Sequence, residues 1–167
     1  MGTLPNTIFN LIILSFLFVN KAAISQPISP DKVVDVNIIV PHIISSSGIV
    51  DAEVILTIKK GWHINANKPL DNNLTPSVLT FTDAPGVQVQ NITYPVPQME
   101  KLTFSDSKLA LYQNEVIIKV QFKVKKKANA QPLKLEGVVK YQACNNESCL
   151  FPVSKPVSII LGPKKLK

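Results

Sequence analysis

Cys144 and Cys149 are the only cysteines in the chain, and only Asn145-Asn146-Glu147-Ser148 lies between them. Thiols held this close can join each other or a thiol of a partner protein. The pair is therefore either a small local staple or a site of thiol–disulfide exchange. As a staple it does little: closing so short a ring removes about 2 kcal/mol of unfolded-chain freedom. Exchange needs one thiolate to attack a partner disulfide and a second thiol, a few ångströms away, to resolve the mixed intermediate. The spacing is not the Cys-x-x-Cys of a helix start, where the dipole favours the thiolate. The neighbours are neutral except Glu147, whose charge opposes thiolate formation. Such a pair is better suited to passing electrons between dedicated partners than to acting as an independent oxidant.

Other chemistries find little support. The only further soft metal ligands, His42 and His63, lie far upstream with no finger-like spacing. No metal and no cofactor is therefore expected, with His42 read as a surface turn residue and His63 as a packed or hydrogen-bonded one. No carboxylate pair, Ser/His/Asp set or Gly-rich phosphate loop stands out. The formal charge of +7 comes from lysine alone, without one arginine. Nucleic-acid recognition relies on arginine forks, so no nucleic-acid partner is expected. The cluster at Lys123, Lys125, Lys126 and Lys127 reads as a solvated strand end.

The elements that position the cysteines are strands. Period-two alternation dominates: Val34, Val36, Ile38 and Val40; Ala52, Val54, Leu56 and Ile58; Val116, Ile118, Val120, Phe122 and Val124; and Leu133, Leu135, Gly137, Val139 and Tyr141, which runs into Cys144. Shorter strands are predicted over 77–82, 87–94 and 157–161. Turn signals at 45–48, 83–86 and 126–131 separate them. Seven or so such strands, with thirteen prolines at ends and edges, predict a single all-β domain, an antiparallel β-sandwich. Two segments lack clean alternation: 61–75, with Trp62 and His63, and 95–111, with Met99, Leu102 and Phe104. Both read as long loops, where binding residues concentrate.

The first residues resemble a secretory signal. Ile8 to Val19 is apolar except for Asn10 and Ser15, and Ala23-Ile24-Ser25 supplies small residues for cleavage before Gln26. No lysine or arginine precedes the run, and no cysteine marks the cleavage point for a lipid anchor. Residues 1–25 are thus predicted to be a signal peptide and 26–167 the mature, extracytoplasmic domain. No other run is long enough to span a membrane.

The residues also carry a family resemblance. Tyr141-Gln142-Ala143-Cys144 with Cys149-Leu150-Phe151-Pro152 resembles the redox motif of the N-terminal periplasmic domains of the thiol:disulfide interchange protein DsbD. The stretch from Gly61-Trp62-His63-Ile64-Asn65 to Pro69 is similar to a second signature of that family, and residues 95–112 resemble its cap-loop segment. The resemblance implies an immunoglobulin-like sandwich whose cysteines alternate between dithiol and disulfide, with Cys149 forming mixed disulfides and Cys144 resolving them. It implies a cap loop with Phe104 at its tip and Asp106 nearby, and Trp62, His63 and Tyr141 lining the site. It also implies a thioredoxin-like electron donor and periplasmic acceptors that maintain isomerases or cytochrome c maturation factors. The chain departs from the family in three ways. Four residues separate the cysteines where familiar members have five, one proline follows Cys149 where two are common, and His63 and Asn65 stand where some members have aromatics. With no membrane or thioredoxin-like segment before Lys167, the donor is expected to be a separate protein. The rival reading is an immunoglobulin-like binding or structural module with a permanent bridge.

Overall fold

The computed structural model describes residues 28–40, 48–125 and 132–161. The predicted signal peptide, His42, most of the turn at 45–48, the lysine-rich turn at 126–131 and the C-terminal lysines lie outside them. The described residues form eleven strands, preceded by a 3-10 turn at Pro30–Lys32, and contain no α-helix.

The alternating segments build two facing sheets. β1 (Val34–Ile39), β2 (Ile49–Ile58), β5 (Val87–Thr93) and β8 (Glu115–Val124) form an antiparallel sheet in the order β1-β2-β8-β5. β4 (Val78–Phe81), β9 (Leu133–Tyr141) and β11 (Val153–Leu161) form a second, in the order β11-β9-β4. Alternation in sequence becomes alternation in burial. On β8, Val116, Ile118, Val120, Phe122 and Val124 are buried, while Glu115 and Lys119 face solvent. Each large apolar side chain buried in this way contributes about 1.5–3 kcal/mol. Phe81 of β4 meets Phe122 of β8 edge-on, with ring centroids 5.3 Å apart, an aromatic contact that links the two sheets. β11 is longer than the alternation predicts because it carries Pro156, opposite Val138. Proline is tolerated there since β11 is an edge strand of its sheet.

The two segments read as loops differ from expectation. They hold β3 (His63–Asn65), β6 (Gln98–Glu100) and β7 (Leu109–Tyr112), which join β10 (Ala143–Cys144) in a third sheet ordered β10-β3-β7-β6. The register explains the missing alternation. Ala143, Ile64 and Tyr112 align on one face and, with Ala66 and Ala110, join the main core. Cys144 aligns with His63, and Asn65 with Leu111, on the other face. There Leu109 and Leu111 pack with Leu102 and Leu74 in a separate small cluster. β3 and β7 are buried on both faces, and a strand with two dry faces has no polar side to reveal its period.

Gly137 marks the closest approach within the second sheet. A Cβ there would lie 2.5 Å from the Thr80 carbonyl oxygen and 2.7 Å from the Phe81 ring. Gly137→Ala is expected to cost about 1–3 kcal/mol through overpacking, lowering the thermal midpoint by several degrees in a calorimetric scan.

Candidate functional site

The site begins where β9 ends. Beyond Gln142, β10 carries Cys144, a turn follows, and Cys149 pairs back against Cys144. The two are joined by a disulfide of 2.01 Å, with Cα atoms 4.0 Å apart. Local hydrogen bonds shape the turn. Asn145 N–H donates to the Ser148 carbonyl at 2.9 Å, and Leu150 N–H to the Ala143 carbonyl at 2.8 Å. The Asn145 side-chain oxygen accepts from the N–H groups of Glu147 and Ser148, at 2.9 and 2.8 Å, as asparagine does in tight turns. The two cysteines end in different surroundings. Cys144 is 1% exposed, whereas Cys149 lies on the exposed turn.

A polar knot ties this hairpin to the segment around His63. The Gln142 side-chain oxygen accepts from Thr75 N–H at 3.3 Å and Asn65 Nδ2 at 3.4 Å. Its Nε2 donates to the Leu150 carbonyl at 3.2 Å. Asn65 Nδ2 also donates to the Thr75 carbonyl at 3.0 Å, and the Ser77 hydroxyl to the Asn65 carbonyl at 2.6 Å. A turn leads into this segment: Trp62 N–H donates to the Lys59 carbonyl at 3.0 Å, and Gly61 has φ +82°. That combination places Gly61 where a type II turn requires a positive φ.

The segment that resembles a cap loop lies alongside. Between β6 and β7 the chain buries Leu102 (7% exposed) with Leu109, Leu111 and Leu74. The next residue, Thr103, donates its hydroxyl to the Asn146 carbonyl of the cysteine hairpin. Phe104 follows, 42% exposed, and Asp106 is exposed. Leu102 and Thr103 thus make the loop's contacts with the rest of the site. In the sequence their only signal was one leucine among polar neighbours.

The remaining site residues divide. His63 lies directly across from Cys144 in the β3–β10 pairing and is 3% exposed. Burial holds its imidazole below the ordinary histidine range, against a smaller opposing pull from the Glu100 carboxylate. Its Nε2 is buried without a hydrogen-bond partner, as is the side-chain oxygen of Asn65. Trp62 is half-buried against the main core. Tyr141 is wholly buried in that core, its hydroxyl donating to the Pro30 carbonyl at 3.2 Å; burial pushes its pKa up to about 12. Among the described residues, no three His, Cys, Asp or Glu side chains cluster to hold a metal ion.

A family model for the N-terminal part of the thiol:disulfide interchange protein DsbD matches residues 26–160. The fold is similar to the reduced N-terminal domain of DsbD from Neisseria meningitidis, with 18% sequence identity and a TM-score of 0.51, covering 82% of this chain and 95% of that one. It is also similar to the N-terminal periplasmic domain of ScsB from Proteus mirabilis, again with 18% identity, and a TM-score of 0.54. That match covers 82% of this chain and 51% of the ScsB chain, so this protein spans about half of that structure. No curated protein matches the sequence. At these identities the likenesses speak for the fold, an immunoglobulin-like antiparallel sandwich.

The buried imidazole has a consequence for stability. His63 is held below its ordinary 6.5, so as pH falls through that value the unfolded chain takes up the proton first. Stability attached to His63 is complete above pH 6.5 and declines below it. Urea titrations at about pH 7.5 and 5.5 are expected to show that loss, and His63→Phe to remove most of it.

Proposed function

The chain belongs to the family of DsbD N-terminal domains, and from that premise we propose that it is an exported thiol–disulfide exchange module working through Cys144 and Cys149. The observation that carries the reading is the unequal burial of two bonded cysteines: Cys149 on an exposed turn, Cys144 at a strand end, 1% exposed. An incoming thiolate reaches the outer cysteine far more readily than the inner one.

The steps follow from that asymmetry. A thiolate of a thioredoxin-like donor attacks Cys149 Sγ and forms a mixed disulfide. The electron pair of the old S–S bond leaves on Cys144 Sγ, which takes up a proton. The donor's second thiolate then attacks its own sulfur in the mixed disulfide and releases Cys149 as a thiolate. The donor is oxidised by two electrons and this domain is reduced by two. Toward an extracytoplasmic acceptor disulfide the steps run in reverse: Cys149 attacks, Cys144 resolves, and the acceptor leaves as a dithiol. Residues 1–25 serve as the signal peptide and 26–167 as the working domain, placed in the periplasm or an equivalent compartment where such partners operate.

The loop after β6 gates this exchange. Thr103 bonds to the hairpin backbone at Asn146, and Phe104 and Asp106 stand at the exposed tip. A partner approaching Cys149 displaces that tip while Leu102 holds the loop's base, a small motion of the kind that controls access to many sites.

Incubation with a thioredoxin-like donor whose second cysteine is replaced by serine is the direct test, applied to chains converted beforehand to a mixed disulfide with a small aryl thiol. Cys144→Ser is expected to accumulate a covalent complex with the donor through Cys149, and Cys149→Ser to accumulate none. Equal trapping by both variants sinks the assignment. A reduction potential well below about −300 mV instead marks an inert structural bridge. Thr103→Val removes the bond between loop and hairpin, and dithiothreitol is expected to reduce its disulfide faster than that of the unmodified chain.

A further inference from the structure

His63 combines properties that packing alone does not require. It is 97% withdrawn from solvent, since only 3% of it is exposed, yet its Nε2 has no hydrogen-bond partner. A buried nitrogen of this kind normally finds one. It is also the direct cross-strand neighbour of Cys144, so the two side chains share a face of the sheet with Cβ atoms about 5 Å apart. In the disulfide form neither sulfur carries a hydrogen. On reduction Cys144 gains an S–H, a donor newly present beside a buried ring nitrogen that lacks a partner.

We infer that His63 is the proton acceptor for Cys144: the reduced thiol donates its hydrogen to Nε2, and the imidazole takes the proton when Cys144 attacks. The inference rests on the exchange reading above. In the outgoing direction Cys149 thiolate first attacks the acceptor disulfide, which releases its first thiolate. The Cys144 proton then passes to Nε2, and the Cys144 thiolate attacks Cys149 Sγ. The mixed disulfide breaks and its electron pair leaves on the acceptor's second sulfur. The imidazolium returns its proton to that thiolate through solvent. Two electrons and the Cys144 proton leave the domain, the Cys149 proton having gone to solvent when its thiolate formed, and His63 ends neutral as it began.

The surroundings suit this role. A thiolate in dry surroundings is costly to form, and Cys144 is almost wholly buried. Burial keeps the imidazole neutral and able to accept. On this face of β7, Leu109 and Leu111 pack in the small leucine cluster. From β6 comes Glu100, whose carboxylate attracts the imidazolium and is itself held by Gln113 Nε2 at 2.7 Å. The charged groups of the adjoining loop and hairpin, Lys101, Asp106, Lys108 and Glu147, are exposed.

The test uses the reduced chain and less than one equivalent of dithiobis(nitrobenzoate), an aryl disulfide that releases a coloured thiolate at each exchange. The first release reports attack by Cys149, and the second reports resolution by Cys144. His63→Phe is expected to leave the first release unchanged and to slow the second by on the order of a hundredfold at neutral pH. The deficit is expected to close near about pH 10, where hydroxide ionises the thiol directly. A deficit that is absent, or equal at every pH, overturns the inference while the exchange reading stands. Failure of the unmodified chain to give a second release overturns both. The unmodified chain offers a check free of any folding defect: the 15N resonance of Nε2 should move on reduction as it accepts a hydrogen bond, and an unmoved resonance also defeats the inference.

Discussion

The site depends on two adjacent strands with no wet face. β3 and β7 send Ile64, Ala66, Ala110 and Tyr112 into the main core, while Leu109 and Leu111 on the opposite side meet Leu74 and Leu102. Placing His63 and Cys144 on that second face puts an imidazole and a sulfur where charge is expensive and each polar group is conspicuous. Burial keeps the imidazole neutral. A disulfide adds no polar demand to such a place, whereas a thiol brings a proton to be accommodated. The chemistry open to the pair is set by this dryness more than by any charged group nearby.

The same backbone makes the two sulfurs unequal. Cys144 belongs to a strand, fixed by pairing with β3, and Cys149 to a turn shaped by the Asn145 side chain. In the proposed exchange, an inner sulfur held in a strand and an accessible outer one divide the labour without a helix dipole or a basic neighbour. Gln142 carries much of the coupling between the parts. It touches Asn65, Thr75 and Leu150 at once, so the hairpin and the His63 segment hold each other in place. Networks of this type are strong when complete and costly when a member is lost.

The cap-loop segment is attached lightly. Its apolar anchor, Leu102, belongs to a cluster separate from the main core. Around it the surface carries unpaired apolar side chains: Phe104 at 42% exposure, Met99, and Phe151 at 87%, two residues beyond Cys149. Exposed apolar groups beside a reachable cysteine suit a surface meant for brief contact with another protein.

The alternating runs determined the two large sheets and their core before any coordinates, because a strand with one wet face writes its period into the chain. Val116 through Val124 is the clearest instance, and the cysteine motif with its flanking Tyr141-Gln142 and Pro152 pointed to the family directly. The third sheet was illegible for the opposite reason. His63-Ile64-Asn65 and Leu109-Ala110-Leu111-Tyr112 are buried on both faces, so neither shows a polar side, and one mixes a histidine and an asparagine into the interior. Tyr141, three residues before Cys144, points instead into the main core toward Pro30, since strand side chains an odd number of residues apart face opposite ways. What only the tertiary structure decided is who faces whom. The alignment of His63 with Cys144, 81 residues further along the chain, is set by strand register, which no local pattern in either segment encodes.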